Sequence, residues 1–256
     1  MFEPFNLTGK NAVVIGGAGG IGKAIAGGLL QSGATVGIAS RNLDGLNEAA
    51  ESLRKLSDGK VEVFQVDASD EASIVKLSQD AIKSFGRVDI LVNAQGFNTK
   101  GPAIEFDMAE WDKLYAVNVR GVMMSCKVFG KHMVEQGGGK IINLSSVRGI
   151  RANAGGNSAY CSSKAAVDLI TKSIATELAK SNVQVNAVGP ALIATKMMEK
   201  VMAEPGRAEQ YTRNIPMGRL GKVEDVIGAA VYLASPAADF VTGQILYVDG
   251  GLTSAS

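Results

Sequence analysis

Short β-branched runs alternate along the chain with longer stretches of helical periodicity. Residues 11–16 (NAVVIG) form the first apolar run, and 21–31 carry apolar positions at helical spacing until Gly33 stops them. The same alternation recurs with runs at 35–40 (TVGIAS), 61–66 (VEVFQV), 90–93 (ILVN), 140–144 (KIINL), 184–188 (QVNAV) and 244–248 (QILYV). Helical patterns fill 43–56, 71–85, 111–136 and 158–181. Strands that are apolar on both faces belong in a parallel sheet covered on both sides, and right-handed crossovers wind such a sheet doubly. The expectation is a single-domain doubly wound α/β Rossmann fold over residues 1–256, with a seven-stranded, mostly parallel sheet. Segment 193–220 breaks the alternation: it is rich in Met, Lys and Glu and contains Pro205-Gly206 and Pro216. It reads either as a surface excursion or as a substrate lid, because it follows a strand's carboxyl end, where open α/β sheets bind ligands. Met197, Met198 and Met202 would either give that lid an apolar face or serve ordinary packing.

Composition narrows the function classes. Of 256 residues, 46% are hydrophobic, which argues against disorder. Lys and Arg number 26 against 25 Asp and Glu, so no global field draws the chain to nucleic acid or to a membrane surface. Two cysteines make no disulfide framework and fit a reducing compartment. Neither a signal peptide nor an apolar run near the ~18 residues of a membrane span is visible. The reading is a soluble, cytoplasmic protein. His132 has no Cys, Asp or second His at ligand spacing, so no metal site is expected.

The first strand runs into Gly16-Gly17-Ala18-Gly19-Gly20-Ile21-Gly22 and then a helix. Glycines at such a turn let backbone approach a pyrophosphate, whose charge the helix N-terminus stabilises. Two registers fit: Gly17, Gly19 and Gly22 as GxGxxG, or Gly16, Gly20 and Gly22 as GxxxGxG. An NAD site of this kind places an acid about 20 residues on, at the end of the second strand. Here Ser40 and Arg41 stand there, and a guanidinium suits a ribose 2′-phosphate. The cofactor expectation is NADP(H), with NAD(H) second.

Tyr160 and Lys164 stand i,i+4 on one helical face. Ser145-Ser146 close the fifth strand, and Asn118 lies in the long helical pattern. With the glycine turn upstream, this pattern resembles the short-chain dehydrogenase/reductase family over almost the whole chain. The resemblance selects the register of Gly16, Gly20 and Gly22. It implies a tetrad of Asn118, Ser146, Tyr160 and Lys164, with Ser145 a structural hydroxyl. It further implies cofactor contacts at Gly16, Gly19, Gly20, Ile21, Gly22, Ser40, Arg41, Asp67, Ala68, Asn93, Ala94 and Gln95. Tyr160, Lys164, Pro190, Ile193 and Thr195 complete that implied set. The chain departs from the family pattern at Ile15, at Ala94-Gln95 and at Ala191. A homo-oligomer, dimer or tetramer, built through the two long helices and the C-terminal strand is also implied.

The implied chemistry makes Tyr160 the acid/base, Ser146 a hydrogen-bond donor to the developing alkoxide, and Asn118 the anchor of a proton-relaying water. A free tyrosine titrates at about 10, and lowering it by about 3 units takes roughly 4 kcal/mol. One ammonium about 4 Å away at an effective dielectric of 20 supplies about 4 kcal/mol, so Lys164 alone would suffice. Arg148, Arg151, Asn153 and Asn157, between the serine and the tyrosine, are candidate substrate contacts. Arginines there suit a carboxylate and asparagines suit hydroxyls; exposure to solvent or salt bridges between subunits is the ordinary alternative. The loop SVRGIRANAGGNSAYCSSKAAV looks most like gluconate 5-dehydrogenases and related sugar-acid reductases. The resulting expectation is hydride transfer on a sugar acid or polyol. The alternatives are a 3-oxoacyl-carrier-protein reductase and a non-catalytic cofactor-sensing protein.

Overall fold

The apolar runs pair as one parallel sheet. In the computed structural model, which describes residues 3–194 and 206–255, β1 (Asn11–Ile15) lies between β2 (Thr35–Ser40) and β4 (Ile90–Asn93). Outward from β2 comes β3 (Val61–Gln65); outward from β4 come β5 (Gly139–Leu144), β6 (Val183–Pro190) and the last strand, Ile245–Val248. All six pairings are parallel, so the sheet is wholly rather than mostly parallel. The chain winds outward from β1 in one direction and resumes from β4 in the other. Loops after β1 and β4 therefore diverge and leave a crevice at the sheet's carboxyl edge.

Two apolar layers flank the sheet. One packs α1 (Gly20–Gln31), α2 (Leu43–Arg54) and the helix Val223–Ala234 around Val14, Ile25, Leu29, Ile38 and Leu233. The other packs α3 (Glu71–Phe85), α5 (Gly121–Glu135) and α6 (Ser158–Leu178) around Ile15, Leu77, Phe129, Ile141 and Val185. Among the described residues, no helix is long and apolar enough to cross a membrane.

Two departures from the expected elements bear on the site. The single helix expected over 111–136 is three pieces: α4 (Met108–Tyr115), a π-helical turn (Ala116–Arg120) and α5. The extra residue of a π turn re-aims a side chain without ending the helix, and here it buries Asn118 completely. The excursion after β6 begins with β7 (Ile193–Ala194), which pairs in parallel with β8 (Gly221–Lys222) as a second small sheet. Part of the expected lid, with Met197, Met198 and Met202, lies outside the described residues, as does Thr195.

Candidate active site

The glycine turn follows β1 at the crevice. Gly16 has φ +86°, and a Cβ there would stand 2.7 Å from the carbonyl carbon and oxygen of Ala94, so only glycine lets these two loops touch. A Cβ on Gly22 would overlap the carbonyl oxygen of Gly16. Gly19 and Gly20 behave differently, with no atom within 4 Å of a Cβ on either. Gly16 and Gly22 thus close the turn on itself, while Gly19 and Gly20 leave an open cradle. The helix that starts there also differs from its neighbours. Asn42 caps α2 through the Gly45 N–H (3.2 Å) and Asp70 caps α3 through Ala72 and Ser73, but no side chain caps α1.

The cradle opens on a cavity of about 460 Å³ whose walls include Ser40, Arg41, Asp67, Ala68 and Gln95. Arg41 is exposed, and its carbonyl accepts from the Gln65 amide (2.9 Å). The Asp67 carboxylate accepts from the Ser69 N–H (2.9 Å) and hydroxyl (2.7 Å), which hold its pKa low, with Arg41 adding to the effect. An uncapped helix start, a glycine cradle, a cation at the β2 terminus and a carboxylate on the far wall fit a dinucleotide with its pyrophosphate at the turn. No acid stands at Ser40 to claim the ribose hydroxyls.

A smaller cavity, about 190 Å³, continues from Ile21, Ala94 and Gln95 to Ser146, Tyr160, Lys164 and Pro190. Ser146 follows β5 and is buried, its hydroxyl accepting from the Arg148 N–H (3.1 Å) and donating to the Pro190 carbonyl (3.5 Å), and it lines this cavity beside Tyr160. Ser145 turns the other way, its hydroxyl donating to Asp168. Lys164 is buried, with Nζ donating to the Leu144 carbonyl (2.6 Å) and lying 5.7 Å from the Tyr160 ring centre. Asn118 accepts from the Phe97 N–H (3.0 Å) and donates to the Phe97 carbonyl (2.9 Å) and Ser163. It braces the loop after β4, where a Cβ on Gly96 would stand 3.1 Å from Asn118 Oδ1 and 3.6 Å from Lys164 Nζ.

The electrostatics differ from the sequence arithmetic. Burial raises the Tyr160 pKa, and the opposing influences are the Ser146 hydrogen bond and Arg148. Burial also pulls Lys164 down to about 8, against the field of Asp168. Desolvation of both groups outweighs an attraction between a phenol and an ammonium whose hydrogen bond goes to backbone.

Ser146 and Tyr160 also line a third and larger cavity, about 530 Å³, bounded by Lys100, Arg148, Asn153, Tyr211 and Leu252 among others. Three amides form a ladder along its wall: Asn98 donates to Asn157 (2.9 Å), which donates to Asn153 (2.9 Å). Among the described residues, Asn98 Oδ1 and Asn153 Nδ2 accept and donate no hydrogen bond. The two arginines are already engaged: Arg148 Nη1 faces the carbonyls of Arg151 and Ala152 (3.4 Å each), and Arg151 donates to Leu252 in the C-terminal segment.

Most residues singled out in the sequence therefore line one continuous crevice. Asn93, Asn118 and Ile193 do not: Asn93 and Asn118 are fully buried, Asn93 donating to Asn143 (2.9 Å), and Ile193 packs into the core. Sequence reasoning missed Asp168 and Tyr247, although Asp168 stands four residues after Lys164 on the same helical face. Gln210, Tyr211 and Asn214, which close the large cavity, carried no motif.

Comparisons with known proteins bear on the family and the fold. A family model described as Enoyl-(Acyl carrier protein) reductase matches residues 16–253. The chain is 35% identical over 249 residues to the gluconate 5-dehydrogenase of Gluconobacter oxydans, covering 97% of this chain and 96% of the relative. It is 39% identical over 249 residues to a 3-oxoacyl-[acyl-carrier-protein] reductase of Thermotoga maritima, covering 96% and 98%. A crystal structure of a gluconate 5-dehydrogenase from Burkholderia cenocepacia, in complex with NADP and tartrate, superposes with a TM-score of 0.93 at 33% identity, covering 99% of each chain.

Proposed function

The chain belongs to the short-chain dehydrogenase/reductase family of oxidoreductases, and we propose that it transfers hydride between NADP(H) and a polar ketone or secondary alcohol of the sugar-acid or polyol class. One observation carries this reading: Ser146 and Tyr160 stand in the wall shared by the cofactor-side cavity and the large cleft. The bound nicotinamide would supply the hydride donor or acceptor. Every other requirement falls to side chains of this chain.

Tyr160 holds the proton that passes to a substrate carbonyl oxygen, or takes it from an alcohol. Ser146, beside Tyr160 in the same two cavity walls, donates to the same oxygen as negative charge develops there. Lys164 carries positive charge one helical turn from Tyr160, and Asn118 fixes the loop that covers it. The roles of the cofactor wall divide in the same way. Gly19 and Gly20 with the start of α1 receive pyrophosphate, Arg41 and Ser40 receive the 2′-phosphate, and Asp67 and Ala68 face the adenine end. The amide ladder and Lys100, which has no ion-pair partner among the described residues, suit hydroxyls and a carboxylate, which supports a sugar acid. NADP and tartrate in the Burkholderia relative support both choices.

A 3-oxoacyl-carrier-protein reductase is the second reading, favoured by the 39% identity to the Thermotoga relative. For the assembled protein we propose a cytoplasmic homo-oligomer, dimer or tetramer, supported by exposed Leu169 on α6 and Leu246 on the last strand. The deciding experiment is initial rates on sugar acids, polyols and acetoacetyl thioesters, each with NADP(H) and NAD(H), alongside Tyr160→Phe. Turnover of an acid or polyol with NADP(H), abolished in Tyr160→Phe, is expected. Preference for the thioester would replace the substrate class, and preference for NAD(H) would remove Arg41 from the site.

A further inference from the structure

Behind the tetrad lies a buried carboxylate that the proposed reaction does not use. Asp168 is 7% exposed and sits on α6 one turn beyond Lys164, so the two side chains share a helical face. Each of its oxygens receives one hydroxyl: Ser145 donates to Oδ1 and Tyr247, from the last strand, donates to Oδ2 (3.3 Å). Room for it is made by Gly149, where a Cβ would overlap Asp168 Oδ2. Burial pushes the Asp168 pKa up, and the two hydroxyls, both arranged as donors, oppose it by stabilising the ionised carboxylate, as do Lys172 and Lys164. Burying a polar acid this way is costly unless its charge is used or answered.

We propose that Asp168 is a positioning residue for the reaction: its buried carboxylate, pinned by Ser145 and Tyr247, is the counter-charge that keeps Lys164 an ammonium inside the closed floor of the site. Three surroundings bear on this. On α6 itself the cations reaching Asp168 are Lys164 and Lys172; from the sheet, Tyr247 and Ser145 face it; from the loop after β5, Gly149 abuts it. The groups around Lys164 are otherwise neutral: the Leu144 carbonyl, the Tyr160 ring, and Asn118 across Gly96. Asp168 is thus the one anion near Lys164 among the described residues. Burial alone drives Lys164 toward the neutral amine, and the carboxylate acts against it. The same helix turn, through Ser145, also holds the end of β5 from which Ser146 projects.

The test reads Lys164 directly and needs no substrate. In protein labelled with 13C at the lysine Cε, the Lys164 resonance is assigned by its loss in Lys164→Arg and titrated with pH. Asp168→Asn keeps the shape and removes the charge. The Lys164 midpoint is expected to fall by about 0.5 to 1 pH unit, a three- to tenfold loss of proton affinity. Ser145→Ala removes a hydrogen bond but no charge and should leave the midpoint in place. An unchanged midpoint in Asp168→Asn, or an equal fall in Ser145→Ala, overturns the proposal. Should Asp168→Asn not fold, the coupling is read from its other end, since linkage is mutual. In Lys164→Met the Asp168 carboxyl midpoint, followed by its 13Cγ shift, must rise by the same amount, and no rise overturns the proposal equally.

Discussion

Alanine at two glycines of the same turn separates binding from folding. A Cβ on Gly19 meets nothing within 4 Å, and the residue has φ −171°, extended backbone that alanine adopts freely. Gly19→Ala therefore keeps its stability within about 0.5 kcal/mol. Its methyl nevertheless stands in the cradle of the 460 Å³ cavity. Holding a pyrophosphate off the uncapped start of α1 forfeits a charge-assisted hydrogen bond, roughly 1.5–3 kcal/mol, which is about 10- to 150-fold in Kd. Gly16→Ala does the opposite. Its left-handed backbone costs alanine about 1–2 kcal/mol, and forcing Ala94 away from a Cβ at 2.7 Å adds about 1–3 kcal/mol. At roughly 2–4 °C per kcal/mol for a chain this long, Gly16→Ala melts about 4–20 °C lower. Differential scanning fluorimetry and NADPH fluorescence titration read the two quantities. A Gly19→Ala protein with wild-type Kd would refute the placing of the pyrophosphate, and a Gly16→Ala protein with wild-type Tm would refute the packing argument.

Other outcomes follow from single contacts. Thr171→Val removes the acceptor of the fully buried Asn143 amide (2.9 Å), at about 1–3 kcal/mol, and calorimetry should show Tm lower by roughly 2–12 °C. Asp225 pairs with Arg219 and accepts from the Lys222 N–H (2.7 Å), which together hold its pKa down at about 2. A carboxyl depressed on folding stabilises above its unfolded pKa and loses that contribution as pH falls through the folded one. Asp225→Asn should thus melt below wild type at pH 6, with the gap closing between about pH 4 and pH 2; a gap independent of pH would contradict the assignment. Burial pushes the Cys126 thiol up to about 12, so iodoacetamide at pH 8 should leave it unalkylated by mass spectrometry until the chain unfolds.

The fold was readable because both faces of the sheet are covered. Runs such as ILVN at 90–93 and TVGIAS at 35–40 have no polar side to disguise their ends, and both coincide with strands as built. The glycine turn and the Tyr160–Lys164 pair were readable because backbone approach and helical spacing fix residue type locally. The π turn at Ala116–Arg120 was not, since its apolar period continues through it and only the placement of Asn118 reveals the shift. The Asp168 cluster joins residues 145, 168 and 247, brought together by the sheet rather than by local pattern. The Tyr160 pKa went the other way from the sequence arithmetic for a related reason. Spacing specifies a neighbouring charge but not the depth of burial, and burial dominates here.

The pairing of Ile193–Ala194 with Gly221–Lys222 gives the enzyme an interchangeable part. Both ends of the intervening stretch are clasped to each other, and Ile193 and Val226 anchor the clasp in the core. Lengthening a loop whose ends are already fixed adds only about 0.6 kcal/mol per doubling. Evolution, or a protein engineer, can therefore exchange that stretch for one of different size and chemistry while the sheet and the glycine turn stay as they are.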